Sequence, residues 1–279
     1  MNRITETFGR LKAGGRGGLI PFITAGHPNI STTRRLLPAL QNAGADVIEL
    51  GVPFSDPIAD GPVIQRSSQQ ALRNGVTLKE ILSLVAEMRS ELNVPIVLFS
   101  YINPVLQFGI EDFARAGADA GVDGVLLSDL PLEEAAEVRN RLSKNSIDLI
   151  LLAAPTSSEQ RLRMIAGNAS GFIYAVSRTG VTGTRDELSH QAEDLVQRLR
   201  VLTSLPVAVG FGISTPNQVR QVCDYADAAV VGSAIVQEIE ENLDRLDLVE
   251  HVERFVRSLS PANAQSNKRE FTDVNRDEN

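Results

Sequence analysis

One apolar segment of this chain contains a carboxylate that could transfer protons. Glu49 is flanked by Ile48 and Leu50 within a largely apolar run. A carboxylate in such a segment must find a partner or have a raised pKa, because burial disfavours its charged form. Either condition suits a group that acts as an acid or base near neutral pH. A structural ion pair, or a polar residue that fills an interior layer, explains the position equally well.

A second carboxylate, Asp60, follows on a loop rich in proline and glycine. This loop can fold back over the end of the preceding strand, so that Asp60 and Glu49 face one cavity. From position alone, a turn or capping role is the more common use of such an aspartate. The two residues therefore predict acid–base chemistry on the condition that both reach the same cavity.

Glycine-containing loops follow three apolar segments in the second half of the chain. They are TGVTG at 179–183, GFGIS at 210–214 and GSA at 232–234. Glycine lets the backbone approach an anion closely, and amide groups at a helix N-terminus bind phosphate. One such loop is weak evidence, since turns use glycine too, but consecutive loops favour a phosphate site.

Residue types that would indicate other chemistry are missing from the expected positions. No lysine follows an apolar segment, which argues against a Schiff-base aldolase. The three histidines are far apart and lack metal-ligand spacing, so no metal site is expected. The only cysteine, Cys223, is interpreted as a packing residue.

Short apolar segments alternate with amphipathic stretches along the chain. Strands are predicted at 18–24, 46–50, 95–100, 124–127, 148–153, 172–177, 207–210 and 228–231, and helices at 31–43, 78–92, 133–143, 158–167, 191–203 and 215–223. Strands that are apolar throughout are typical of a parallel sheet covered on both faces. The alternation predicts an α/β fold, a single-domain (β/α)8 TIM barrel with an N-terminal helix.

The domain is expected to span 1–260, and the mixed charges of 261–279 predict a disordered tail. In such a barrel the active site lies in the loops at the C-terminal ends of the strands. Glu49, Asp60 and the glycine-containing loops all fall at those ends.

Composition excludes several classes of protein. The 279 residues carry a formal net charge of −8, so no basic field exists to attract a nucleic-acid backbone. There is no apolar run of about 18 residues, so no membrane span is expected. Residues 1–11 do not resemble a signal peptide, and the single cysteine favours a reducing, cytoplasmic location.

From Thr5 to Leu259 the sequence resembles the α subunit of tryptophan synthase. The most specific run is ELGVPFSDPIADGP at 49–62. Further matching runs are PF at 21–22, TAG at 24–26, YINP at 101–104, SRTGVTG at 177–183, GFGIS at 210–214 and GSAIV at 232–236.

The resemblance implies a lyase that cleaves indole-3-glycerol phosphate to indole and D-glyceraldehyde 3-phosphate in a retro-aldol reaction. It implies that Glu49 is the general acid/base and that Asp60 accepts a hydrogen bond from the indole N–H. Neither lysine nor metal is then required, since the indole ring is the electron sink. By the same resemblance Gly183, Gly212, Gly232 and Ser233 would bind the phosphate, and Phe22, Tyr101, Leu126, Tyr174, Thr182 and Phe211 would line the indole and glycerol pocket.

The resemblance also implies a partner. The family forms an α2β2 complex in which indole passes to a β subunit that carries pyridoxal phosphate and joins indole to serine. No cofactor is expected in this chain. The loops 53–60 and 101–108 would meet the β subunit, and a surface-exposed Pro53-Phe54 pair is expected to be a contact patch.

Two positions depart from the family pattern. Phe99 stands where a smaller aliphatic is familiar, and Ser128 stands where alanine is, so the resemblance does not determine the exact shape of the pocket.

Three alternative functions stay open. The alternatives are a stand-alone lyase that releases indole, a non-catalytic activator of the β subunit, and another phosphate-binding barrel. The last would need paired aspartates on strands one and five, where 22–24 and 152–155 contain no acid.

Overall fold

Eight apolar segments of the chain form parallel strands that close into a barrel. A computed structural model describes residues 2–177 and 185–261, without the side chains of 185–189. The strands are β1 (Gly18–Thr24), β2 (Ile48–Gly51), β3 (Ile96–Ser100), β4 (Gly124–Leu127), β5 (Asp148–Ala153), β6 (Ile173–Val176), β7 (Val207–Gly210) and β8 (Ala228–Val231). Each strand pairs with its sequence neighbours, and β8 pairs with β1. The predicted (β/α)8 TIM barrel is therefore confirmed.

Helices connect the strands and cover the outside of the barrel. They are α1 (Arg3–Ala13), α2 (Ile30–Asn42), α3 (Pro62–Arg73), α4 (Leu78–Met88), α5 (Ile102–Phe108), α6 (Ile110–Ala120), α7 (Ala135–Ser143), α8 (Glu159–Asn168), α9 (Arg185–Leu202), α10 (Pro216–Tyr225), α11 (Ser233–Glu241) and α12 (Leu248–Leu259). No helix among the described residues is long and apolar enough to cross a membrane. Apart from Pro261, the predicted tail lies outside the described residues.

Side chains alternate along each strand between two cores. Outward residues such as Ile23 and Leu50 pack under the helices. Inward residues such as Val97 and Ile150 fill the barrel interior. At the N-terminal end of the barrel, Phe8 of α1 packs against Phe172, with ring centroids 5.5 Å apart. Because the described side chains fill the lower interior, the barrel interior leaves space for a ligand toward the C-terminal ends of the strands.

The helix α3 positions the loop that precedes it. This helix was not among the predicted ones; it begins with Pro62, whose fixed backbone angle suits the first turn of a helix. Its Ser67 hydroxyl lies 2.7 Å from the Thr24 hydroxyl at the end of β1, and both residues are buried. This contact fixes the first turns of α3 against β1, and with them the loop that carries Asp60.

Candidate active site

A cavity opens at the C-terminal ends of the strands. Its volume is about 600 Å³, counting its open mouth. It is lined by Phe22, Glu49, Asp60, Gly61, Ile64, Phe99, Tyr174, Phe211, Gly212, Val230, Gly232 and Ser233. The two carboxylates and two of the glycine-containing loops therefore meet in one place, as the sequence pattern required for an acid–base site.

Glu49 lies at the bottom of this cavity. It sits on β2 between Phe22 of β1 and Val97 of β3, and only 1% of its surface is exposed. Its Oε1 atom has no hydrogen-bond partner among the described residues. Burial raises the pKa of Glu49 from its ordinary 4.5 to about 8, because removal from water penalises the charged form. The side chain is therefore mainly a neutral acid at pH 7.

Two other buried carboxylates of the barrel differ from Glu49, because each is paired with an arginine. Asp46 accepts hydrogen bonds from Arg16 at 2.6 Å, and Asp123 accepts one from Arg3 at 2.9 Å. Both aspartates also accept a strand amide, so they anchor the N-terminal ends of the strands. Within 2–177 and 190–261, Glu49 has no such cation beside it. The ion pair considered for Glu49 is thus not found among the described side chains.

Asp60 is held over the cavity by Tyr101. The Asp60 carboxylate is hydrogen-bonded to the Tyr101 side chain, and the same hydroxyl oxygen accepts the Ala59 amide at 2.9 Å. Gln65 of α3 donates to the Asp60 carbonyl at 2.9 Å, so the loop is fixed on both sides. Partial burial raises the pKa of Asp60 from 3.8 to about 6, while the hydrogen bond from Tyr101 opposes that rise. Asp60 is therefore mainly charged at pH 7.

Two aromatic pairs wall the cavity. Phe22 and Phe99 meet edge to face with ring centroids 5.6 Å apart, and Tyr174 and Phe211 do so at 6.0 Å. The first pair comes from β1 and β3, and the second from β6 and the loop after β7. These strands lie on opposite sides of the closed barrel, so the space between the pairs suits a flat apolar group.

Backbone groups form the other end of the cavity. Phe211 and Gly212 have φ angles of +79° and +80°, and such a conformation in a non-glycine residue costs about 1–3 kcal/mol. Strained backbone of this kind is concentrated at ligand sites. Beside it, α11 begins at Ser233 after Gly232, with its first-turn amides at the cavity edge. Amides at a helix N-terminus favour an anion, so this end suits a phosphate.

Three groups of expected site residues can be distinguished by their placement. The cavity is lined by Glu49, Asp60, Phe22, Tyr174, Phe211, Gly212, Gly232 and Ser233. Tyr101 contacts Asp60 from the loop side, and Leu126 is completely buried in the barrel interior beneath the cavity. Thr182 and Gly183 lie outside the described residues.

Sequence reasoning did not assign three further residues that line the cavity, Gly61, Ile64 and Val230. Val230 could have been found, because it alternates with Ala228 on the inward face of β8. Gly61 and Ile64 depend on α3, which the apolar pattern did not reveal. No group of residues that could hold a metal ion is present in the described part of the chain.

The surface pair expected at 53–54 is not exposed. Pro53 is buried, and Phe54 is half-buried with its ring 4.9 Å from that of Tyr101. Phe54 instead packs against Tyr101, the residue that is hydrogen-bonded to Asp60. The exposed apolar residues of this face are Ile58 and Leu106, which are 87% and 54% exposed.

The chain is similar to known proteins over almost its whole length. The family model described as "Tryptophan synthase alpha chain" matches residues 8–264. The chain belongs to the tryptophan synthase alpha chain family. A member from Geobacter sulfurreducens is 50% identical over 94% of this chain and 99% of its own length. One from Arabidopsis thaliana is 45% identical, covering 93% of this chain and 94% of the relative.

Solved structures of the family share the fold. Tryptophan synthase subunit alpha from Legionella pneumophila has a TM-score of 0.86 and 38% identity, covering 93% of this chain and 97% of that one. A chain of tryptophan synthase from M. tuberculosis, in its aminoacrylate-bound form, has a TM-score of 0.83 and 32% identity over 93% and 98% of the two chains. The family, the barrel and the function of a lyase subunit of tryptophan synthase, all expected from the sequence, are thereby confirmed.

Proposed function

We propose that the chain cleaves indole-3-glycerol phosphate to indole and D-glyceraldehyde 3-phosphate with Glu49 and Asp60 as its catalytic residues. The observation that carries this proposal is the cavity itself. One carboxyl group is buried and uncharged, a second is charged, and both face a space walled by aromatic rings. Two carboxyl groups whose surroundings separate their pKa values are suited to different roles in one reaction.

Glu49 acts first as an acid and then as a base. Its neutral carboxyl group donates a proton to C3 of the indole, which places positive charge on the ring nitrogen. The resulting carboxylate takes the proton of the hydroxyl group on the carbon attached to C3. The bond between C3 and that carbon then breaks, its electrons return to the ring, and an aldehyde leaves. Glu49 ends the cycle protonated, and general acid–base catalysis of this kind contributes about 10²–10⁴-fold.

Asp60 stabilises the charge that develops on the ring. Its carboxylate accepts the indole N–H, and the attraction strengthens when C3 is protonated. Tyr101 contributes by fixing the direction of that carboxylate. Such preorganised charge needs no rearrangement at the moment of reaction.

The two ends of the substrate are bound separately. The indole lies between the Phe22–Phe99 and Tyr174–Phe211 pairs, and Leu126 supports the floor beneath them. The phosphate is bound by Gly212, Gly232 and Ser233. By the family resemblance, Gly183 would also bind the phosphate and Thr182 would line the pocket; both lie outside the described residues.

A β subunit that carries pyridoxal phosphate uses the indole, in an α2β2 complex, and this chain carries no cofactor of its own. The exposed Ile58 and Leu106 support this proposal, because they place apolar surface on the 53–60 loop and on α5, the two segments expected to meet the β subunit. Leu72 of α3, 37% exposed, lines a neighbouring groove together with Phe54 and Pro104. A cytoplasmic location stays a prediction from the sequence.

The decisive experiment measures indole released from indole-3-glycerol phosphate, with and without the β subunit. The chain has no tryptophan, so in the reaction without β the indole fluorescence arises from substrate and product alone. The wild type should release indole faster when β is added, whereas Glu49→Gln should bind indole-3-propanol phosphate yet lose turnover. The control Glu133→Gln, at an exposed position, should behave as wild type.

Each outcome has a defined meaning. Fast release without β would indicate the stand-alone lyase, and no release with stimulation of β would indicate the non-catalytic activator. Turnover near the wild-type rate in Glu49→Gln would remove Glu49 from its catalytic role.

A further inference from the structure

We propose that Phe99 determines substrate specificity by setting the steric limit on the benzene ring of the indole group. This inference rests on the proposed function and adds a residue to it. Phe99 is half-buried, and its exposed part lines the cavity that contains Glu49.

The register of the strands makes Phe99 part of a rigid wall. Gly51 of β2 lies opposite Phe99 of β3, and both point into the barrel. A Cβ atom on Gly51 would come within 2.5 Å of Cζ of Phe22, so the Phe22 ring occupies the space that Gly51 leaves. That ring meets Phe99 edge to face, with an interplanar angle of 83°. Phe99 therefore cannot turn toward β2 to make room for a larger ligand.

Phe99 also packs against two apolar clusters, one in the barrel interior and one at the mouth of the cavity. It packs against the barrel-interior cluster that includes Val97 and Leu126, and against the mouth cluster of Phe22, Ile64 and Val236. Interiors packed in this way resist even the addition of one methylene group. The cavity wall at Phe99 is thus a fixed boundary.

The polarity of the cavity shows which part of the substrate meets this boundary. The anion end is formed by the loops after β7 and β8, whereas Phe99 belongs to β3, on another side of the barrel. Glu49 and Asp60, which engage C3 and N–H of the indole, both come from β2 and its loop. With the phosphate at β7 and β8, the benzene ring projects toward β3 and meets Phe99.

The test compares kcat/KM for indole-3-glycerol phosphate with kcat/KM for its 4-, 5-, 6- and 7-methyl derivatives. In Phe99→Leu, the ratio of substituted to unsubstituted substrate should rise about tenfold for at least one position, since a methyl-sized change in an apolar pocket is worth about 10–200-fold. Phe99→Met has nearly the volume of leucine but an unbranched, flexible side chain that can fill irregular gaps, so it serves if Phe99→Leu does not fold. It should shift the ratio in the same direction.

The matched control is Phe113→Leu, which removes one ring of another edge-to-face pair. Phe113 and Phe108 lie outside the cavity, 6.5 Å apart at 82°. The control should leave the ratios at wild-type values. A rise of less than about threefold at all four positions in both Phe99 variants contradicts the proposal, and a larger rise supports it. If the wild type does not cleave unsubstituted indole-3-glycerol phosphate, the proposed function fails. If it does cleave that substrate and the ratios do not change in the Phe99 variants, only the role of Phe99 fails.

Discussion

Replacement of Glu49 by glutamine should remove a pH-dependent loss of stability while it abolishes turnover. Glu49 is 1% exposed and has a pKa of about 8, against 4.5 for an ordinary glutamate. As the pH rises above 4.5, the unfolded chain releases this proton while the folded chain retains it. The raised pKa therefore adds stability that is fully present below 4.5 and is lost progressively until pH 8. Glutamine has no proton to lose, so Glu49→Gln escapes this loss.

The size of the effect follows from the interval between the two pKa values. Each pKa unit corresponds to about 1.36 kcal/mol. Between pH 5.5 and pH 8 the advantage of Glu49→Gln over wild type should therefore grow by up to roughly 3 kcal/mol. Burial of an amide that lacks hydrogen-bond partners costs about 1–3 kcal/mol, but this cost is the same at both pH values.

The assay is urea unfolding followed by far-UV circular dichroism at pH 5.5, 7 and 8. Coincidence with a second probe at each pH checks that one free energy of unfolding describes the transition. The control Glu133→Gln should track wild type within about 0.5 kcal/mol, as expected for a surface substitution. A difference between Glu49→Gln and wild type that stays constant from pH 5.5 to 8 would refute the argument that burial keeps Glu49 protonated.

Three further predictions concern the carboxylates and the close contacts of the cavity. The pH profile of kcat/KM should be bell-shaped, because Asp60 must be charged (pKa about 6) and Glu49 protonated (pKa about 8); a profile flat from pH 5 to 9 would contradict this. Tyr101→Phe should move the acid limb of the profile to higher pH, because the hydrogen bond from Tyr101 lowers the pKa of Asp60 and its loss raises that pKa. An unmoved acid limb would show that Tyr101 does not act on Asp60. Gly210→Ala should cost about 1–3 kcal/mol and weaken binding of indole-3-propanol phosphate, because its Cβ would overlap a tyrosine hydroxyl of the cavity. The helical control Gly167→Ala has open space and should be neutral or slightly stabilising in urea unfolding; equal losses in both variants would count against the contact.

The sequence alone predicted all eight strands, but only seven of the twelve helices found among the described residues. Strands covered on both faces are apolar throughout, so the predicted 18–24 and 207–210 coincide with β1 and β7. Helix α3 escaped prediction because its sequence, PVIQRSSQQALR, is mostly polar and buries only a narrow stripe. The run at 49–62 was sufficient to indicate the family by resemblance, because a match of this length does not arise by chance.

Tertiary structure alone decided the properties of the site. Sequence could not choose between an ion pair and an isolated acid for Glu49, because that depends on which side chains barrel closure brings beside it. The hydrogen bond between Asp60 and Tyr101, and the contact of Phe22 with Phe99, join residues far apart in the chain through strand register. The pKa values of the two carboxylates diverge because the folded chain removes water from Glu49 almost entirely and from Asp60 only in part.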